Sequence, residues 1–125
     1  MRSLATVVLA LAVLALGACQ APGSPTGCKN VMIDWVDFVE VGSTQYVAGT
    51  DAHATLTEGD LGGVFTHVKF KVDGNVCDPG YRPKDGDAAF LDAGTPVYAV
   101  NGYPTSELLA ARRNGQIVAY WAFPR

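Results

Sequence analysis

Few residues of this chain have the type and spacing for chemistry. His67 lies in "VFTHVKFKV" with Lys69 and Lys71 on the same strand face, because alternate residues of a strand share a side. Beside an acid such as Asp34 or Asp37, it could act as a general base in a small envelope hydrolase. That role needs the carboxylate within hydrogen-bond reach or one water away. Asp34 and Asp37 are three apart in "VMIDWVDFVEV". In a strand they fall on opposite faces unless a bulge intervenes, whereas paired-carboxylate chemistry aims both at one bond. His53, the other histidine, sits in a Gly-, Thr- and Asp-rich loop and reads as solvated. No serine stands in a GxSxG-type elbow, and Ser43 falls in an apparent turn, so a serine triad is not indicated.

The segment "YRPKDGDAAF" is the better candidate for recognition. Tyr81 and Arg82 offer a ring and a planar donor fork, and Lys84, Asp85 and Asp87 add charge of both signs. The plainer alternative is a tight turn stiffened by Pro83 and opened by Gly86, with Arg82 pairing locally. Asp85 and Asp87 could hold a cation, but a calcium site takes about six or more oxygens and this loop supplies few. No metal or other cofactor is expected. Tyr103 in "NGYP" is the aromatic residue expected at the surface; Trp35, Phe38, Tyr98, Tyr120 and Trp121 are expected in the core. Tyr81, Arg82, Asp85, Asp87 and Tyr103 are thus the candidate binding residues.

The elements that must position these groups read as short strands. "VMIDWVDFVEV" (31–41) is β-branched and aromatic and ends at Gly42-Ser43, with "TQYVA" as its hairpin partner. A loop follows, in which Thr57 and Asp60 have capping-box spacing and predict a single helical turn. In strand 64–72, Val64, Thr66, Val68, Phe70 and Val72 are expected to face the core. "AAFL" and "PVYAV" are further strands. "LLAARRNGQIVAYWAF" carries the strongest hairpin signal, Asn114-Gly115, and its last strand is apolar on both faces, as a central or covered strand is. "PTSELLAA" could instead be a short helix. The whole predicts a mainly β fold, a small antiparallel sandwich or partly open barrel with at most one or two short helical turns.

The N-terminus places the domain. "MRSLATVVLALAVLALGAC" joins a positive Arg2, an uncharged apolar run and small residues before Cys19. The run is shorter than the roughly 20 apolar residues of a spanning helix. Leu16-Gly17-Ala18-Cys19 resembles the lipobox of bacterial lipoproteins, and the resemblance implies cleavage after residue 18 and lipidation of Cys19. Two acyl chains on that thiol meet the two-signal condition for stable anchoring. The alternative is an ordinary secretory signal in which Cys19 is incidental. "QAPGSPTG" then completes a tether over 19–27 that stands the folded part clear of the headgroups.

Removing residues 1–18 leaves 107 of the 125 residues, one domain over 28–125, and moves the formal charge from −3 to −4 with the loss of Arg2. A mildly acidic surface argues against nucleic acid and against a polybasic grip on anionic lipid. With Cys19 acylated, Cys28 and Cys77 remain as a pair in a compartment where disulfides persist. A metal site would favour close CxxC spacing, which is missing.

The body, through "WVDF", "VKFKV", "YRPKDGDAAFL" and "GTPVYAVNGY", is similar to a group of small lipoproteins of high-GC Gram-positive bacteria. The resemblance implies an extracytoplasmic address and brings no activity, cofactor or catalytic residue with it. The expectation is a non-catalytic domain on the outer face of the cell membrane, binding an envelope protein or a small ligand. The alternatives are the His67 hydrolase and a structural envelope protein without a specific ligand.

Overall fold

The computed structural model describes Cys28, residues 31–49 and residues 55–124. Residues 1–27, with Cys19 and the tether, and His53 lie outside the described residues. The chain forms β1 (Phe38–Val41), β2 (Thr44–Ala48), one 3-10 turn (Glu58–Asp60), β3 (Leu61–His67), β4 (Phe70–Lys71), β5 (Asp87–Ala88), β6 (Pro96–Val100), β7 (Leu108–Arg113) and β8 (Gln116–Phe123). The eight strands of the described residues join one sheet in the order β3-β6-β7-β8-β2-β1-β5-β4. Every pairing is antiparallel except that of β4 with β5. Among the described residues no helix is long and apolar enough to cross a membrane.

The two edge strands, β3 and β4, are consecutive in the chain and separated only by Val68 and Lys69. The sheet must therefore curl until its edges lie within about 10 Å of each other, the reach of so short a link. Val68 donates to Thr95 O beside β6, while Lys69 and Phe70 donate to Gly86 O beside β5. One segment thus bonds to both ends of the sheet, and the fold is a partly open barrel.

The barrel interior holds Val39, Tyr46, Val68, Leu91, Val97, Leu109 and Tyr120. Buried tyrosine hydroxyls need partners. Tyr46 Oη donates to Thr105 O at 2.7 Å, and Tyr120 Oη donates to Asp37 Oδ1 at 3.1 Å. These partners lie toward opposite ends of β7, so one tyrosine reaches each mouth of the barrel. Outside it, two clusters cover the sheet. Val100, Leu108 and Ala110 pack with Leu56, Leu61 and Trp121. Phe38, Val72 and Ala89 pack with Trp35, Val47, Val76 and Tyr81. β8 feeds the interior with Tyr120 and an outer cluster with Trp121, which is why its sequence is apolar on both faces.

The hairpin β7–β8 turns at Asn114 (φ 51°) and Gly115 (φ 77°), the two positive angles its sequence demands. Asp60 accepts from the Thr57 N–H at 2.7 Å and from its hydroxyl at 3.0 Å, closing the predicted turn. Strand 31–41 is shorter than expected: only Phe38–Val41 pairs, because the partner β2 ends at Ala48, opposite Asp37. "AAFL" pairs earlier than expected, as Asp87–Ala88, and "PTSELLAA" is a turn leading into β7. The expected strand 64–72 splits into β3 and β4. The register of β3 shifts twice against β6, and the bend at Val68–Lys69 reverses the alternation. Val68 consequently points into the barrel and Val72 into the outer cluster, while Val64 and Phe70 stay exposed at 50% and 38%.

Candidate functional site

Cys28 and Cys77 form a disulfide with Cα atoms 5.2 Å apart. It fastens the start of segment 31–37 to the loop that follows β4. The other end of that segment is held at Asp37, whose carboxylate accepts from Arg113 Nη1 at 2.8 Å and from the Tyr120 hydroxyl. Burial, with the negative Asp37 beside it, raises the Tyr120 hydroxyl pKa well above its ordinary value. Arg113 also stacks 4.6 Å from the centre of the Phe90 ring. Segment 31–37 is thus a strap across the sheet, pinned at both ends, with Trp35 packed beneath it on Phe38, Val72 and Ala89.

Loop 81–87 lies alongside the strap and is braced from within. Asp87, 3% exposed, accepts from the Tyr81 hydroxyl at 2.7 Å and from the Lys84 N–H at 2.8 Å. Burial and this bond push the Tyr81 hydroxyl pKa up to about 12. Asp85 accepts from Lys69 Nζ at 2.8 Å and from the Gly42 N–H at 2.7 Å, and both bonds hold its carboxyl below the usual carboxylate range. Glu40 neighbours Asp87 across the β1–β5 pairing and is 1% exposed. No buried side-chain nitrogen or oxygen among the described residues lacks a partner. Of the predicted loop residues, Tyr81, Asp85 and Asp87 therefore build the loop, while Arg82 is exposed and its side chain engages nothing among the described residues.

Tyr103 is 43% exposed and meets the ring of Trp121 edge to face, with centroids 5.6 Å apart. The sheet register relates this pair to the strap. Phe38 pairs with Val47, and Val47 with Trp121. Two strand spacings, ~10 Å, separate Phe38 from Trp121 on one face. Trp35 and Tyr81 lie over the first, and Tyr103 touches the second. Phe123, 58% exposed, belongs to the same face through its pairing with Gln45. The candidates brought together are therefore Tyr81 and Tyr103, with Trp35, Trp121 and Phe123 as unpredicted neighbours.

The catalytic candidates do not assemble in this way. His67 is exposed on β3, opposite Pro96, and its side chain has no hydrogen bond or ion pair among the described residues. Both oxygens of Asp37 are occupied by Arg113 and Tyr120. Asp34 is exposed on the strap. Among the described residues no three His, Cys, Asp or Glu converge as a metal site would require. Arg112 forms a further cluster, paired with Glu58 and donating to the Tyr98 hydroxyl at 2.7 Å, which fixes the 3-10 turn to the outside of the sheet.

No protein-family model, curated protein or solved structure matches the chain.

Proposed function

We propose that this chain is a lipid-anchored extracytoplasmic domain that binds an envelope component through the outer face of β1, β2 and β8. The anchor rests on "LGAC" and on an intrachain disulfide, the kind of bond that persists outside the cytoplasm. The observation carrying the binding reading is the gathering of Trp35, Tyr81, Trp121, Tyr103 and Phe123, none fully buried, on one face of a rigid sheet. Aromatic side chains offer large contact area for little ordering cost, and Arg82 beside them is free to engage a partner.

Two measurements test the reading. A clickable palmitate analogue should label the full chain, and Cys19→Ser should abolish the label; unchanged labelling refutes the anchor. The detergent-solubilised chain should co-sediment with washed envelope fragments of the producing cells. Tyr103→Ala combined with Arg82→Ala should weaken that retention about tenfold, equivalent to about 1.4 kcal/mol. Retention that ignores both substitutions, or none at all, refutes the binding face.

A further inference from the structure

A cleft of about 290 Å³ lies between the strap and loop 81–87. Trp35 from the strap and Tyr81 from the loop supply two aromatic walls, and Pro79 and Pro83 two aliphatic ones. The Tyr81 hydroxyl already donates to Asp87, so this residue offers the cleft its ring rather than a hydrogen bond. Two polar side chains remain in the lining: Asp34 on the strap and Gln45, half-buried on β2. Neither side chain engages anything among the described residues. Charges of both signs stand around the walls, Asp34 and Asp78 against Arg82 and Lys84, so no net sign selects an ion. The cleft leads into a row of rings. Gln45 pairs with Phe123 and Val47 with Trp121, whose ring Tyr103 touches. Alternate residues of a strand share a face, so Phe123 and Trp121 lie one strand spacing, ~5 Å, beyond Gln45 and Val47.

We infer that the envelope component bound by this face is an uncharged glycan, with one or two pyranose rings seated in the cleft against Trp35 and Tyr81 and the sugar chain continuing past Gln45 over Phe123 and Trp121. This rests on the binding reading above and names its ligand. Size selects a small unit, since the cleft lies at the lower end of ligand pockets, about 300–1,000 Å³. A pyranose presents C–H bonds on its faces, which suit the negative faces of aromatic rings, and hydroxyls at its edge, each both donor and acceptor. Those hydroxyls match the polar pair: Asp34 only accepts, while the Gln45 amide both accepts and donates. The rival occupant of an aromatic and proline groove is a proline-rich peptide, but it lacks the N–H donors that Asp34 and the Gln45 oxygen require. A repeating polymer, unlike a single small molecule, also uses the rings that run on beyond the cleft. The pinned strap makes the site preformed, because Trp35 is fixed by the disulfide on one side and by Asp37 on the other.

The test uses the detergent-solubilised chain and three probes: the β-1,4-linked trimers of glucose and of N-acetylglucosamine, and a peptide alternating proline with alanine. Calorimetry should show saturable binding of at least one trimer and none of the peptide, with little dependence on salt because no ion pair is made. Asp34→Ala with Gln45→Ala should weaken it at least about fivefold, as the loss of one or two hydrogen bonds implies. Asp73→Asn, which removes an acid from the cleft on the other flank of the strap, should leave it unchanged. Trp35 and Trp121 are the two tryptophans of the chain, and Trp35→Phe should remove most of the change in tryptophan emission that accompanies binding. The inference falls if neither trimer binds, if the peptide binds in preference, if the double substitution leaves affinity unchanged, or if the emission change survives Trp35→Phe. Should neither trimer bind while envelope retention still depends on Tyr103 and Arg82, the binding face stands with a protein partner; should retention fail as well, both readings fall.

Discussion

Gly86 is where the geometry of loop 81–87 is most exposed to a single substitution. It sits at φ +89°, and a β-carbon added there would meet Lys69 Cβ at 2.8 Å, Cγ at 2.6 Å and Cδ at 2.5 Å. The outer carbons of Lys69 can rotate away. Its Cβ cannot, because the backbone carrying it donates from Lys69 N to Gly86 O at 2.8 Å. Gly86→Ala must therefore push β4 off the loop or distort the loop itself. The left-handed backbone costs about 1–2 kcal/mol for a residue with a side chain, and overpacking adds about 1–3. Reduced freedom of the unfolded chain returns about 0.4–1 kcal/mol. The net loss is roughly 2–4 kcal/mol, a large share of the roughly 5–15 kcal/mol that holds a domain folded.

Gly74 supplies the control, with φ +78° and nothing within 4 Å of an added β-carbon. Gly74→Ala bears the backbone cost alone, about 1 kcal/mol after the same return. Urea unfolding followed by tryptophan fluorescence separates the two. With a slope of about 1.5 kcal/mol per molar, Gly86→Ala should lower the midpoint by about 1.5–2.5 M and Gly74→Ala by less than about 1 M. Equal midpoints at unchanged slope would refute the claim that contact with Lys69 makes glycine obligatory at position 86.

Reduction of Cys28–Cys77, which closes a loop of 49 residues, should destabilise the chain by up to about 4 kcal/mol on the chain-entropy model. Urea midpoints with and without a dithiol measure this, and identical midpoints would show that the strap is held without its covalent end. A second expectation concerns alkaline pH. Because the folded pKa of Tyr81 is raised to about 12, its contribution is complete below the ordinary tyrosine value near 10 and is lost as pH climbs from there to about 12. Absorbance at 295 nm should show an ionisation step near pH 12 whose amplitude falls by about one tyrosine in Tyr81→Phe; an unchanged amplitude contradicts the bond to Asp87.

What the sequence disclosed of this fold is what neighbouring residues decide. Asn114-Gly115 dictates its turn, "PVYAV" and "TQYVA" their strands, and Thr57 with Asp60 their cap, each through partners at most a few residues away. Strand 31–41 failed because its length is set by where β2 stops, and strand 64–72 because the chain crosses from one sheet edge to the other. Neither event leaves a local mark. The same division runs through the site. The loop was legible from its prolines, glycines and charges, but Asp85 answers to Gly42 and Lys69, and Asp37 to Arg113, 76 residues away. No spacing along the chain announces such pairs.

Much of the polar density in "YRPKDGDAAF" therefore serves the loop's own frame. A buried carboxylate is costly unless it is hydrogen-bonded, so an acid that the fold draws inward becomes part of the frame. Asp87 does so under Tyr81, and Asp85 closes the loop onto Lys69 and Gly42. In the proposed reading, recognition falls to groups that the frame does not consume, Arg82 on the loop and Tyr103 beside Trp121. Both were legible as candidates, whereas nothing local separates Asp34 from Asp37, the one that Arg113 and Tyr120 reach. The frame also explains why such a surface can be rigid in so small a domain. The strap that carries Trp35 has few sheet hydrogen bonds of its own and is fixed by a covalent bond at one end and a charge-assisted one at the other. Loosening either end should therefore free Trp35 as well as destabilise the fold, and reduction of Cys28–Cys77 should weaken the retention proposed for this face, measured by the same co-sedimentation.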